Sequence, residues 1–395
     1  MDDWRECTLG DLVTLKRGYD LPQQNRREGA YPILSSSGVS GFHNEYMVPS
    51  DGVVTGRYGT IGEVFYCNGP HWPLNTTLYV DNFHGNDKKF VYYFMKTLDW
   101  KGFSIASAVP GINRNHVHTI PVRIPPLATQ RAIATTLSVI DDRIDNNKSI
   151  NHHLEQIAQA IFKSWFVDFE PFADSGFVES ELGEIPVGWR VTRIGDLPVT
   201  VTDYVANGSF ASLKENVTLL ETPSYAVFVR NVDLKAGSFG KYVDEHSYRF
   251  LSKSALFGGE VIISNVGDVG SVFLCPYLPQ PMTLGNNMIM LTAKERKAHN
   301  YFFYLLFKHS YGAELIRSIT GGSAQPKFNK TDFRSLCVVM PTSDVMDKFL
   351  DTVECLFQRQ ADLEQETAHI TELRDLLLPR LMSGELSVAN LGDTK

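Results

Sequence analysis

Cysteine is scarce in this chain of 395 residues, and the five present do not cluster. Cys7, Cys67, Cys275, Cys337 and Cys355 form no CxxC pair and no metal-ligand spacing, which argues against a disulfide framework or a zinc site and suits a reducing cytoplasm. No apolar run approaches the roughly 18 residues of a membrane span. Met1–Thr8 is polar and acidic rather than signal-like, so the expected location is cytoplasmic. Catalytic signatures are missing too. There is no glycine fingerprint for a nucleotide, no NPPY- or DPPY-type motif, and no GxxxxGK(S/T) phosphate loop, since the Gly240-Lys241 pair lacks its upstream glycine. His116 and His118 could share a strand face and ligate a metal, but no further ligand cluster lies nearby, and a surface pair is the simpler reading. No nucleophile–base pairing stands out. The expectation is a non-catalytic chain that holds no metal or cofactor of its own.

Excess positive charge is also absent, with a formal net charge of −8. Divided along the chain, however, Lys and Arg stand against Asp and Glu as 12 to 12 in residues 1–127, 4 to 10 in 128–185, 16 to 12 in 186–342 and 5 to 11 in 343–395. All the excess acid therefore lies in two segments, while the regions between them are neutral or basic. Whole-chain charge excludes no nucleic-acid partner, and a basic region does not establish one.

What is present is periodicity. From Ile133 to Trp165, steps of four and three residues land on Ile133, Leu137, Ile140, Ile144, Asn147, Asn151, Leu154, Ala158, Ile161 and Trp165. That alternation is what a coiled-coil seam requires; an ordinary amphipathic helix, the alternative, shows a wider 3.6-period face. Asn147 and Asn151 would cost stability but specify register and partner, or else mark a local break. A second copy follows 216 residues later at Phe349, Val353, Leu356, Gln360, Leu363, Thr367 and Ile370. Leu373 and Leu377 then align best at an offset of 219, a stammer of three residues. Two matched helices in one chain suggest an intramolecular antiparallel pair.

The domains before the helices repeat as well. Trp4, Arg5, Leu9, Gly10, Asp11 and Leu12 reappear as Trp189, Arg190, Ile194, Gly195, Asp196 and Leu197. The strand–turn–strand stretch 53–65, with Gly59 and Gly62, has its counterpart in 261–273, with Gly267 and Gly270. A strand at Leu78–Val80 corresponds to Met288–Met290, and a short aromatic helix, 90–96, to 301–307, its rings read as core. Each half closes with an asparagine loop, Gly111-Ile112-Asn113 or Lys327-Phe328-Asn329, and an apolar strand ending in proline, after which the long helix begins. The acidic stretch 168–188, rich in Pro and Gly, reads as a linker, and the chain after Ser383 as a frayed polar tail.

This pattern resembles the specificity subunits of type I restriction-modification systems over essentially the whole chain. The resemblance rests on the duplicated domain-plus-helix order and three local motifs: the helix end Leu154 to Phe169, the segment Leu182 to Trp189, and Leu373 to Glu385. At the start of the central helix the family usually shows a Glu-Gln pair where this chain has Thr129-Gln130; Gln130 remains. The resemblance implies an α+β protein, with two duplicated mixed α/β target-recognition domains separated by two long antiparallel helices forming a coiled coil. The implied boundaries are 1–127 and 189–342 for the domains, 128–170 and 343–386 for the helices, 171–188 for the linker and 387–395 for the tail. By the same resemblance, each domain reads one half of a bipartite asymmetric site on double-stranded DNA. The helices set the spacing and dock two methyltransferase subunits, which carry adenine-N6 methylation and S-adenosylmethionine, and restriction subunits join them.

Candidate DNA-contacting residues are polar side chains in corresponding loops. In the first domain these are Arg17, Ser35, Ser36, Ser37, Arg57, Tyr58, Thr60, Asn75, Asn113 and Arg114; in the second, Arg230, Asn231, Asn265, Asn286, Asn287, Lys327 and Asn329. Arginine suits guanine O6 and N7 and asparagine suits adenine N6 and N7, whereas serine and lysine more often hold phosphates. The ordinary alternative for each is a turn residue. For the whole chain, the alternatives are a coiled-coil scaffold without DNA readout and a complete DNA-modifying enzyme; the missing motifs speak against the latter.

Overall fold

A computed structural model describes residues 3–105, 111–322 and 324–388 of the chain. The chain divides into two compact units, residues 1–147 with 366–395 and residues 148–365. The division falls inside both long helices, the central one at Leu127–Phe166 and the C-terminal one at Ser343–Met382, each 40 residues long. Each unit thus contains one sheet domain and a stretch of each helix.

In the first unit, an antiparallel sheet runs in the order Thr14–Arg17, Thr77–Asn82, Gly52–Gly56, Val64–Cys67. Its strand Gly52–Gly56 is buried on both faces, so it reads as a continuous apolar run rather than an alternating one. Val53 packs beneath the helix Lys88–Lys96, whose Phe90, Val91, Tyr93, Phe94 and Met95 are buried, while Val54 packs with Leu34 and Tyr79 on the other side. A smaller sheet joins Gly38–His43, Tyr31–Ser35 and Trp72–Pro73, the last pair parallel. Arg5–Thr8 and Pro121–Ile124 pair antiparallel, bringing the domain's first and last strands together.

The second unit repeats this plan with Val199–Asp203, Met288–Ala293, Val261–Ser264 and Val272–Leu274 in the same order. His299–Lys308 is the aromatic helix, and Arg190–Arg193 pairs with Cys337–Met340. Here the smaller sheet has five strands, and its parallel pair, Ala226–Val229 with Met282–Leu284, corresponds to the parallel pair of the first unit. Side chains from both long helices complete each core. Ile133, Ala134, Leu137, Leu381 and Met382 enter the first; Ala158, Phe162, Phe166, Phe349, Leu350, Val353 and Phe357 enter the second.

Polar contacts fix the helix pairing as antiparallel. In the first unit, Arg374 donates to Asp141 at 2.9 Å and the fully buried Asn147 donates to Thr367 Oγ1 at 3.3 Å. In the second, Asn151 Nδ2 reaches the Gln360 carbonyl at 3.3 Å while Gln360 Nε2 reaches the Asn151 carbonyl at 2.9 Å. Each aromatic helix is also tied to the central helix through a tyrosine. Tyr93 donates to Asp141 at 2.7 Å and Tyr304 to Glu155 at 2.6 Å; burial, reinforced by those carboxylates, drives both phenol pKa values upward.

The seam departs from strict alternation at its ends. Phe162 and Phe166 are buried where the spacing points to Ile161 and Trp165, which are half-buried against the same core. Leu373 is 43% exposed, and Arg374 takes the inward position beside Asp141. The cause is that each helix end packs on a domain as well as on its partner helix, which calls for the wider 3.6-period face. Ile144, Leu363, Phe349 and Val353 are buried; Ile140, Leu154, Leu356, Ile370 and Leu377 are half-buried.

Two further expectations change. The stretch read as a linker contains a hairpin, Phe177–Ser180 with Gly183–Pro186, and buries Ile185, with Trp189 buried just after it. Its glycines serve as turn residues, Gly183 at φ 93°, and Phe166, Phe169 and Phe172 ring Trp189. The segment after Ser383 is not frayed through Val388. Gly384 at φ 75° turns the chain, the Leu386 amide returns to the Arg380 carbonyl at 3.0 Å, and Leu386 and Val388 pack on the first core. Residues 389–395 of the expected tail lie outside the described residues. No helix among the described residues is long and apolar enough to cross a membrane.

The shifted phase has a measurable consequence. Phe162→Ala, which empties a fully buried position, is expected to cost about 3–5 kcal/mol in urea unfolding of the full chain. Leu373→Ala should stay within about 0.5 kcal/mol. Equal losses at the two sites would contradict the packing described.

Candidate nucleic-acid interface

One backbone junction recurs beside each four-stranded sheet. In the first unit, the amides of Arg57 and Tyr58 both donate to the Thr76 carbonyl, at 2.9 and 3.2 Å, and the Arg57 carbonyl receives the Ile112 amide at 3.1 Å. Tyr58 and Gly111 form an isolated bridge. In the second, Asn265 donates to the Asn287 carbonyl at 3.1 Å and accepts from the Phe328 amide at 3.1 Å, and Val266 bridges Lys327. Three segments that are distant in sequence are thus tied together in each unit. The recurring glycines make the turns possible: Gly59, Gly62, Gly267 and Gly270 have φ of 78°, 99°, 76° and 88°, the region where a side chain is strained. A Cβ on Gly56 would lie 2.0 Å from the Thr60 carbonyl oxygen.

The side chains carried on this common backbone differ. In the first unit, the Arg57 guanidinium lies over the Tyr58 ring at 4.5 Å, and Ser36 sits against the Cα positions of Gly56 and Gly59. Arg17 and Asn75 converge on Asp20, Arg17 at 3.6 Å. Ser35 and Ser37 shape the turn into Gly38, with Ser35 donating to its carbonyl at 2.9 Å. Thr60 and Arg114 are exposed. Asn113 caps the helix Arg114–His118, accepting from the Asn115 amide at 3.0 Å.

In the second unit, Asn265 turns inward. Its Nδ2 donates to the Phe328 carbonyl at 3.0 Å, and its Oδ1 is buried. Asn329 caps Lys330–Ser335 through the Asp332 amide at 2.9 Å. Arg230 grips the buried Asp233 with Nε at 2.8 Å and Nη2 at 2.6 Å, and this pairing holds its guanidinium pKa up. Asn231 donates to Asp268 at 2.9 Å. Asn286 and Lys327 are exposed, and so is Asn287, which adopts φ 63°. The structure therefore gathers residues 57–60, 75 and 111–114 in one unit and 231, 265–268, 286–287 and 327–329 in the other. It also gives Asn113, Asn265, Asn329 and Arg230 structural tasks, because caps and buried pairs satisfy groups that would otherwise be orphaned.

Sequence reasoning missed the carboxylates Asp20, Asp233 and Asp268, which restrain neighbouring cations and amides. The repeat held a signal for one of them, since Asp268 falls at the position of Thr60. Hydrogen bonds from Asn231, Lys235 and Ser271, in that order of weight, hold the Asp268 carboxyl down to about 2. His118 accepts the Leu15 amide at 2.8 Å, and burial lowers its pKa, so it serves as a neutral structural acceptor. Among the described residues, no group of three or more His, Cys, Asp or Glu could hold a metal ion.

A family model described as the type I restriction modification DNA specificity domain matches residues 1–156 and 186–369. The chain is 28% identical over 312 residues to the MjaIX specificity subunit, a type I restriction enzyme component of Methanocaldococcus jannaschii, covering 77% of this chain and 70% of that protein. It is 24% identical over 346 residues to the HindI specificity subunit of Haemophilus influenzae, 72% of each. Among solved structures, the type I restriction-modification S subunit from M. genitalium has a similar fold, with a TM-score of 0.60 at 18% identity across 96% of both chains.

Asp268 makes the second junction acid-sensitive. Its folded-state pKa lies below the ordinary carboxylate value of 3.8, so its contribution is complete above about pH 4 and is lost as pH falls through about 2. Unfolding measured across that window should show a steeper loss in the native chain than in Asp268→Asn. Parallel curves would mean that the three donors do not stabilise the ionised form.

Proposed function

The chain belongs to the family of type I restriction-modification specificity subunits, and from that premise we propose that its two domains read the two halves of one asymmetric, bipartite DNA site. The observation that carries this reading is the junction built twice on the same hydrogen-bond scheme but furnished differently: Arg57, Tyr58 and Arg114 in one unit, Asn231, Asp268 and Lys327 in the other. A common backbone with unlike side chains supports two readers of the same geometry and different base preference. The exposed Ser37 and Lys327 fit phosphate contacts.

On this proposal the long helices set the spacing between half-sites and dock two methyltransferase subunits, to which restriction subunits add in the full enzyme. Those methyltransferase subunits bind S-adenosylmethionine and flip the target adenine, since the base must leave the stack to be methylated. This chain supplies recognition and performs no step of that chemistry, and the assembly acts on DNA in the cytoplasm.

The test is a map of N6-methyladenine in DNA from cells that express the cognate methyltransferase subunits with or without this chain. One bipartite asymmetric motif, present only with the chain, is the expected result. The same motif without it, or no motif despite an assembled and active methyltransferase, would leave a scaffold role instead. The purified complex should also lose DNA affinity steeply with rising salt as phosphate counterions are released.

A further inference from the structure

Resting on that reading, we propose that Arg57 reads a guanine in the half-site of the first domain, its guanidinium held over the Tyr58 ring, and that Gly111 is the positioning residue that makes room for that ring. The three parts of the arrangement are visible in the fold. The Arg57 carbon Cζ lies 4.5 Å from the Tyr58 ring centroid. A Cβ on Gly111 would fall 2.2 Å from Tyr58 Cε1 and 2.8 Å from Cδ1, so the ring lies directly on a bare α-carbon. The backbone beneath is held on both sides, by the Arg57 amide on Thr76 and the Arg57 carbonyl under Ile112.

The other arginines among the candidates are differently placed. Arg17 is paired with Asp20 and Arg230 with Asp233, and Arg114 is exposed with no ring beneath its guanidinium among the described residues; Arg57 has a ring beneath it and no carboxylate among the described residues within ion-pair distance. A guanidinium stacked on an aromatic face keeps its edge donors free. It has lost part of its rotational freedom before DNA arrives, and two parallel N–H groups match the O6 and N7 acceptors that guanine alone presents in the major groove.

The second domain cannot repeat this device. Asn265 stands at the Arg57 position with its amide turned onto Phe328, and Val266 replaces the ring. Guanine reading at the junction is therefore a property of the first domain.

The methylation map of the complete complex tests this with Arg57→Ala, Arg57→Lys, Gly111→Ala and Tyr58→Phe. Both Arg57 variants should relax one required guanine, with methylation at sites bearing another base there rising about tenfold or more, while the other half-site is unchanged. Gly111→Ala should relax the same position, and Tyr58→Phe, which keeps the ring, should retain it. A second measurement covers variants that assemble poorly. The native complex should bind a duplex carrying 7-deazaguanine at that position about tenfold more weakly, because the N7 acceptor is gone. A first half-site without guanine, an unchanged motif in Arg57→Ala, or indifference to 7-deazaguanine at every guanine of that half overturns the proposal and leaves the specificity role standing. Absence of any chain-dependent motif defeats the specificity role itself.

Discussion

The burial of two helical faces is the constraint on which the rest of this chain depends. A helix of 40 residues with Ile133, Leu137, Phe162 and Phe166 along its length cannot remain in water on its own. Each fully buried side chain of this size is worth roughly 1.5–3 kcal/mol. The partner helix covers part of that stripe and the domains cover the remainder, so pairing and domain docking are a single packing problem. The polar steps in the stripe, Asn147 with Thr367 and Asn151 with Gln360, sacrifice some of this burial. In return they favour one register, because a slipped helix would take the Nδ2 donors of Asn147 and Asn151 from their acceptors.

Against that frame of packed helices, the sheet domains divide labour between backbone and side chain. The junction at Arg57 and its counterpart at Asn265 are held almost wholly by amides, carbonyls and bare glycine α-carbons. Side chains there are consequently released from structural duty wherever a cap or buried pair does not claim them. Asn113 and Asn329 are claimed in this way and Arg57 is not. A binding surface can then change its chemistry without disturbing its shape.

The duplicated architecture was largely legible in the sequence, because its signals are local and repeated. Gly59 and Gly267 mark the same left-handed turn, the two apolar strands end at the same proline, and the seam recurs at a constant offset. Where the reading failed, a tertiary neighbour decided the outcome. Phe162 rather than Ile161 is inside because a domain face packs there along with the second helix. Trp189 draws Phe169 and Phe172 into a cluster that turns a Pro- and Gly-rich stretch into a hairpin. At the junctions, the residue types were informative but their commitments were not. The i,i+3 spacing of Arg230 and Asp233 is a local signal that the residue types alone did not reveal, whereas the ring under Arg57 is placed against Gly111, a segment distant in sequence.

The first unit is assembled from residues at opposite ends of the numbering, with Leu377, Leu378, Leu381, Met382 and Leu386 closing over a core begun by Leu9 and Leu12. The second unit is one unbroken stretch, 148–365. During synthesis on the ribosome the order of completion is therefore reversed from the order of translation. Residue 365, the last of the second unit, is translated before the stretch 377–386 that covers Ile133, Ala134 and Leu137 in the first.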